Sequence, residues 1–230
     1  MEKKRHYRHE LKYDITYVQY LELIPRLKAI AQSDGHVGED GKYLIHSVYF
    51  DNYKDKALRE KIDGVRKREK FRIRWYNDDT DHMKLEKKQK DNNLCLKYGT
   101  KLSKDEFDRI IRGDVDWMKD SDDELKKEFY IKTKALQLKP RVLVSYTREP
   151  YIYAPGNVRI TFDSEIRTSL YHQFSSGGEL TDIDARMESG HMILEVKYDN
   201  YLPKIISMII QMGTVRQSAF SKYGICRRFG

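Results

Sequence analysis

Between Val65 and Tyr76 every second residue is basic: Arg66, Arg68, Lys70, Arg72 and Arg74 share one parity, while Phe71, Ile73 and Trp75 take the other. Period-2 alternation with β-branched and aromatic residues predicts a strand with one apolar face. Its polar face is then a ladder of like charge, with side chains about 7 Å apart along the strand. Repulsion at that spacing is appreciable. Such a row is stable when water or a polyanion lies along it, and either condition limits how the strand can pack.

The pattern recurs. Lys84, Glu86, Lys88 and Lys90 share a face, Arg8, Glu10 and Lys12 alternate with His9, Leu11 and Tyr13, and Glu195 and Lys197 oppose Leu194, Val196 and Tyr198. Arg159, Thr161, Asp163, Glu165 and Arg167 alternate with Ile160, Phe162 and Ile166. An open antiparallel sheet with one wet face satisfies this grammar. So does an α+β fold in which an antiparallel β-barrel encloses a charged lumen and helices pack on the outside.

The 230 residues carry a net charge of +8 and 35% charged side chains. The charge lies in periodic segments that also hold 17 tyrosines and 8 phenylalanines, which argues against disorder. One domain over residues 1–230 is expected, since barrels run past about 200 residues without splitting. A basic balance implies an anionic partner. No apolar run approaches the roughly 20 residues of a membrane span, and Met1 to Lys4 leads to the first strand without a signal-peptide core, so a cytoplasmic protein is expected. Cys95 and Cys226 lack metal-type spacing and are expected to be reduced thiols.

Expected elements are strands at Tyr7–Tyr13, Tyr43–Phe50, Leu94–Leu102, Arg141–Tyr153, Val158–Ser169 and His191–Lys197, besides the two basic ones. Helices are expected at Thr16–Ala31, bent by Pro25, at Tyr53–Lys61 behind an Asp51 cap, after the Ser103/Glu106 capping box, at Ser121–Gln137 and at Pro203–Met212. Tyr146 and Trp75 read as barrel-wall core, and Lys84 and Lys87 as solvated or salt-bridged. No phosphate-binding glycine loop or dinucleotide fingerprint is present, and seven scattered histidines give no zinc or triad signal. Carboxylates set among lysines suit one task, holding a divalent cation that bridges phosphate oxygens.

Eight segments in series resemble a known family. They are Arg8-His9-Glu10-Leu11-Lys12-Tyr13, Ser47-Val48-Tyr49-Phe50-Asp51, Lys70-Phe71-Arg72-Ile73-Arg74-Trp75-Tyr76, Leu85-Glu86-Lys87-Lys88, Ser145-Tyr146-Thr147-Arg148, Val158-Arg159-Ile160-Thr161-Phe162-Asp163, Ile193-Leu194-Glu195-Val196-Lys197 and Phe220-Ser221-Lys222-Tyr223. Together they resemble the VTC domain, the catalytic module of polyphosphate polymerases and a member of the triphosphate tunnel metalloenzymes. The resemblance implies a β-barrel tunnel in which Lys12, Arg72, Arg74 and Lys88 act on the triphosphate, while Lys97, Arg148, Arg159, Lys197 and Lys222 bind phosphate oxygens. Lys101 competes with Lys97 for its place. Glu195 is the implied principal ligand of Mn²⁺ or Mg²⁺, with Glu10 and Glu86 as helpers. Some members carry a lysine where this chain has Ala219, and Arg216 is the nearest replacement.

The expected activity is transfer of the γ-phosphoryl group of ATP to a growing inorganic polyphosphate chain. A tunnel triphosphatase, with Glu10 or Glu86 orienting water, is one alternative. A non-catalytic polyphosphate- or RNA-binding module is another, although nucleic acid is not the expected partner. A membrane protein that accepts the product remains open.

Overall fold

The alternating segments are strands of a single antiparallel sheet. The computed structural model describes residues 7–35, 37–92, 94–170, 183–185, 190–211, 217 and 220–229. In chain order the strands are β1 (Arg8–Thr16), β2 (Gln32–Ser33), β3 (Tyr43–Asp51), β4 (Lys67–Tyr76), β5 (Asp79–Asp91), β6 (Leu94–Leu102), β7 (Lys139–Tyr153), β8 (Val158–Leu170), β9 (Ile183–Asp184) and β10 (His191–Tyr198). Their spatial order is β2-β7-β3-β4-β5-β6-β1-β10-β8-β9, and β7 also pairs with β8. That extra pairing closes β7, β3, β4, β5, β6, β1, β10 and β8 into a ring. The ring is thinnest between β1 and β6, where Arg8 meets Cys95 and His9 meets Leu94.

Among the described residues six α-helices accompany the barrel: α1 (Tyr17–Lys28), α2 (Lys56–Ile62), α3 (Lys104–Ile111), α4 (Glu124–Leu136), α5 (Lys204–Ile210) and α6 (Lys222–Cys226). Outward-facing Phe71, Ile73 and Leu85 pack with Ile110 of α3 and Phe129 of α4. On the other side Ile160, Phe162, Leu194 and Val196 pack with Leu23 and Leu27 of α1 and Ile206 of α5. Apolar parity thus faces the helices and charged parity faces inward, as the alternation requires. Trp75 belongs to the outer wall, stacked on His46 at 5.2 Å. Among the described residues no helix is long and apolar enough to cross a membrane.

Several boundaries follow local chemistry that periodicity does not register. The Ser103/Glu106 capping box forms as expected. A second box, Thr16 with Gln19, starts α1 after β1. Pro25 lies inside α1 without ending it. Helix α4 begins at Glu124, later than the expected Ser121, with Asp123 as its cap accepting from the amides of Leu125 and Lys126. Helix α5 ends at Ile210, and Met212, the expected end, lies outside the described residues.

The alternation on β8 fails at one place. Glu165 has φ 51, and the register with β7 shifts between Ser145 and Thr147. This bulge reverses the parity, so Ile166 points into the barrel interior with Tyr146 and Tyr223, while Glu165 and Arg167 are exposed. Glu165 and Arg167 therefore leave the charged face to which simple alternation assigned them.

Asp51 is not the N-cap of α2. That helix begins at Lys56, with Asp55 in the left-handed region and making no side-chain cap. The Asp51 carboxylate nevertheless accepts the amides of Ala57 and Leu58 in the first turn, at 2.9 and 3.1 Å, and the Tyr223 hydroxyl at 2.7 Å. One buried carboxylate joins β3, α2 and α6. Asp51→Ala leaves these donors without an acceptor and is expected to cost about 3 kcal/mol. A chemical-denaturation midpoint equal to that of the wild type would contradict the assignment.

Candidate functional site

The inward-facing side chains of β1, β3, β4, β5, β6, β7, β8 and β10, with Lys222 of α6, line a cavity of about 410 Å³. That volume lies within the range of small-molecule sites. Eleven of the nineteen residues on its wall are lysines or arginines, and each carboxylate buried there is clasped by several cations.

On the β1/β10 side Glu10 opposes Lys197 and Lys12 opposes Glu195 in register. Lys12 Nζ lies 2.9 Å from Glu10 and 3.3 Å from Glu195. Glu10 also receives Lys88 Nζ at 2.6 Å. Glu195 is paired with Lys197 and lies 3.7 Å from Arg148 Nη2. Burial pushes both carboxyls up, but Lys12 and Lys88 around Glu10, and Lys197, Lys12 and Arg148 around Glu195, hold them well below the usual range.

On the β4/β5 side Arg72 opposes Glu86 and reaches it at 2.7 Å, Arg74 stands 3.8 Å away, and Lys97 pairs with its other oxygen. Burial raises the Glu86 carboxyl, yet Arg72, Arg74 and Lys97 bring it below its normal value. Arg72 and Arg74 also donate to the hydroxyls of Tyr49 and Tyr146, at 3.0 and 3.3 Å. Tyr146 is buried in the barrel core, as expected, and also lines the cavity.

The expected residues are therefore largely gathered. Lys12, Arg72, Arg74, Lys88, Lys97, Arg148, Arg159, Lys197, Lys222, Glu10 and Glu195 all line this cavity, and Glu86 lies behind the arginines. Arg159 stands at the rim, held by Asp34 at 2.7 Å and Tyr43 at 2.9 Å. Lys222 enters from the first turn of α6, not from a strand. Lys87 faces outward to Glu128 and Tyr98, and Lys84 is exposed. Lys101 is exposed as well, and Lys97 takes the wall position. Arg216 and Ala219 lie outside the described residues.

Asp163 and Lys70 are among the charged residues that escaped the sequence reading of the site. Asp163 is fully buried, takes a two-point clasp from Arg148 at 2.6 and 2.7 Å, and pairs with Lys222. Lys70 shares the parity of Arg72, and burial with its cationic neighbours lowers its ammonium to about 8. Both had a signal in the alternation: Asp163 with Thr161 and Arg159, Lys70 with Arg72. Burial likewise brings Lys97 to about 7 and Lys197 to about 8. Burial is the leading cause for all three, whereas Lys12 and Lys88, which clasp Glu10, are raised.

A second cavity of about 360 Å³ shares Glu10, Lys12, Lys70 and Lys88 with the first and adds Lys61, Arg68 and Lys90. The charged passage thus continues beyond the arginine cluster. Rows of fixed cations along a passage suit an extended polyanion, bound through many contacts.

The VTC domain family matches residues 7–229. Among solved structures, a candidate adenylyl cyclase from Hippeastrum with a dominant triphosphatase activity superposes with a TM-score of 0.56 at 11% identity, covering 97% of this chain and 96% of that one. A protein from Pyrococcus horikoshii OT3 gives 0.51 at 15%, covering 97% and 100%, and a candidate adenylate cyclase from Bacillus halodurans gives 0.51 at 16%, covering 90% and 87%. No curated protein sequence matches the chain. The structural likenesses support the tunnel fold, and the match over nearly the whole length shows that this chain belongs to the VTC domain family.

Proposed function

We propose that this domain is a polyphosphate polymerase that transfers the γ-phosphoryl group of ATP to the end of an inorganic polyphosphate chain, in the cytoplasm. The observation that supports this reading is the continuity of the two cavities: basic residues run past the arginine cluster to Lys61, Arg68 and Lys90. A hydrolase needs room for one triphosphate. A polymerase needs a path for the growing chain as well.

Phosphoryl transfer demands positioning and neutralisation of spread negative charge more than covalent chemistry. Arg72 and Arg74 present guanidinium forks beside Arg148, and forks of this kind match phosphate oxygens. The terminal oxygen of the acceptor chain forms the new bond to the γ-phosphorus as the bond to the β-bridging oxygen breaks and ADP leaves. The acceptor oxygen is already anionic, with a last pKa of about 6. No general base is required, which suits a lumen of lysines and arginines.

A divalent cation fits the carboxylate side of the lumen. Glu10 and Glu195 converge on Lys12 Nζ, and Thr161, opposite Glu195 in register, has a buried hydroxyl with no hydrogen bond among the described residues. These are hard oxygen donors of the kind Mn²⁺ and Mg²⁺ take together with substrate phosphates. Glu86 answers to a different set of cations, so Glu195 and Glu10 are the proposed holders. When bound, the ion supplies neutralisation and orientation of phosphate oxygens. Among the described residues no three acidic, histidine or cysteine side chains converge, consistent with a site completed by the substrate.

Hydrolysis is the second reading. Glu10, whose Oε1 is held by Lys12 Nζ at 2.9 Å, or Glu86 would orient the water. Product analysis separates the two. ATP with Mn²⁺ should yield chains of many phosphates plus ADP, whereas ADP with orthophosphate alone would favour hydrolysis.

Arg72→Ala and Arg74→Ala should each lower kcat/KM for ATP by about 100-fold, with Arg72→Lys recovering part of the loss because the fork is missing. Unchanged kinetics in the double variant would contradict the lumen assignment. Glu195→Gln should abolish turnover with an unchanged circular dichroism spectrum, and full activity in that variant would remove the proposed cation role. Reversing charge at Lys61 and Arg68 together should shorten the products on gels while the KM for ATP stays within about twofold. Equal loss in nucleotide use and chain length would contradict a separate path for the chain.

A further inference from the structure

A buried phenol sits where the basic strand meets the barrel interior. Tyr49 is 4% exposed, and its register partner across β3 and β4 is Arg72. Its hydroxyl oxygen accepts from Arg72 Nη1 at 3.0 Å, while Lys70 Nζ stands 5.1 Å and Arg72 Cζ 5.8 Å from the ring centre. A guanidinium only donates. Among the described residues the Tyr49 hydroxyl itself donates no hydrogen bond.

The neighbours on every side leave this oxygen facing cations. β4 presents Lys70, Arg72 and Arg74. From α6, Tyr223 packs against the ring at 5.0 Å, but its hydroxyl is committed to Asp51. From β7, Tyr146 accepts from Arg74, and from β5, Glu86 takes Arg72 from its other side. Glu86 and Asp51 thus each have their own partner, and the cation excess around Lys70 and Arg72 falls on Tyr49.

We propose that Tyr49 is the tunnel's internal counter-anion: without substrate its phenolate faces Lys70 and holds Arg72 in place, and a phosphate chain that takes over these cations returns it to the phenol. The inference rests on reading the lumen as a phosphate-chain site. Tyr49 takes one proton from solvent for each chain bound, which balances the conversion of its phenolate to phenol. Burial alone would push the phenol up, but Arg72, Lys70 and Arg74 outweigh it and bring it to about 7. An arriving polyanion cancels that field, so binding raises the phenol and draws in the proton. Tyr49 is then a positioning residue, keeping the Arg72 fork aimed before phosphate arrives.

Tyrosinate has its own ultraviolet absorbance, which makes the charge state directly visible. Tyr13, Tyr20, Tyr43, Tyr151 and Tyr223 are all pushed upward, with burial the leading cause, and stay silent near neutrality. At about pH 8 the wild-type protein should show about nine-tenths of one tyrosinate per chain. Tyr49→Phe, with an unchanged circular dichroism spectrum, should lack it, and Arg72→Gln should move it upward by at least about one pH unit. Saturation with inorganic tripolyphosphate should remove the wild-type signal. No tyrosinate in the free protein below about pH 9, a signal that persists in Tyr49→Phe, or one that survives bound tripolyphosphate would overturn the proposal. Calorimetry on the same samples separates the two claims: tripolyphosphate that binds without changing the signal overturns the Tyr49 role alone, whereas failure to bind overturns the phosphate reading.

Discussion

Everything in this structure turns on positive charge enclosed within a closed wall of strands. Arg72, Arg74, Arg148, Lys12, Lys88 and Lys222 are directed into a space where water is limited and like charges lie within a few residues of one another. Buried charge is tolerated when it is paired, and the lumen supplies Glu10, Glu86, Asp163 and Glu195 for that purpose. The pairing is incomplete. Burial lowers Lys70, Lys97 and Lys197 toward neutrality, while Arg72, Lys70 and Arg74 outweigh burial at Tyr49 and draw it toward the charged phenolate. Lysines and arginines outnumber carboxylates on the tunnel wall, and under the proposed function an extended phosphate chain pairs with them at many points together.

The barrel and its helices exist to hold that arrangement. Apolar parity on β4 and β5 is covered by α3 and α4, and on β8 and β10 by α1 and α5, so the cations have only the interior to face. Near α6, Tyr223 and Cys226 pack with Tyr49, Val144 and Ile166, which gives part of the interior an apolar filling and delivers Lys222 beside Asp163. The Asp51 carboxylate fixes this helix to the wall. Charge placement and packing are thus set by the same few contacts.

Most of the wall was legible because a strand has a period of two, and a charged set opposite an apolar set leaves little freedom in direction. Arg72, Arg74, Lys88 and Glu195 follow from that rule once the sheet closes. What escaped the rule has local causes. The left-handed Glu165 reverses the parity of β8, and nothing in an alternating pattern announces a bulge. Lys222 lies on a short helix whose entry into the lumen depends on tertiary contacts with Asp51 and Asp163. Asp163 was visible on the charged face of its strand, but its role as the partner of Arg148 required knowing that β7 and β8 are neighbours. Lys61 stands on α2, and its place at the second cavity follows from a long-range fold that no local spacing encodes.

The most direct test of the account is a crystal structure of the protein grown with inorganic tripolyphosphate and Mn²⁺. The account predicts phosphate density inside the barrel, between the Arg72, Arg74 and Arg148 guanidiniums, with the ion held by Glu195. Phosphate bound only on the outer surface, with the lumen side chains still paired to one another, would contradict it.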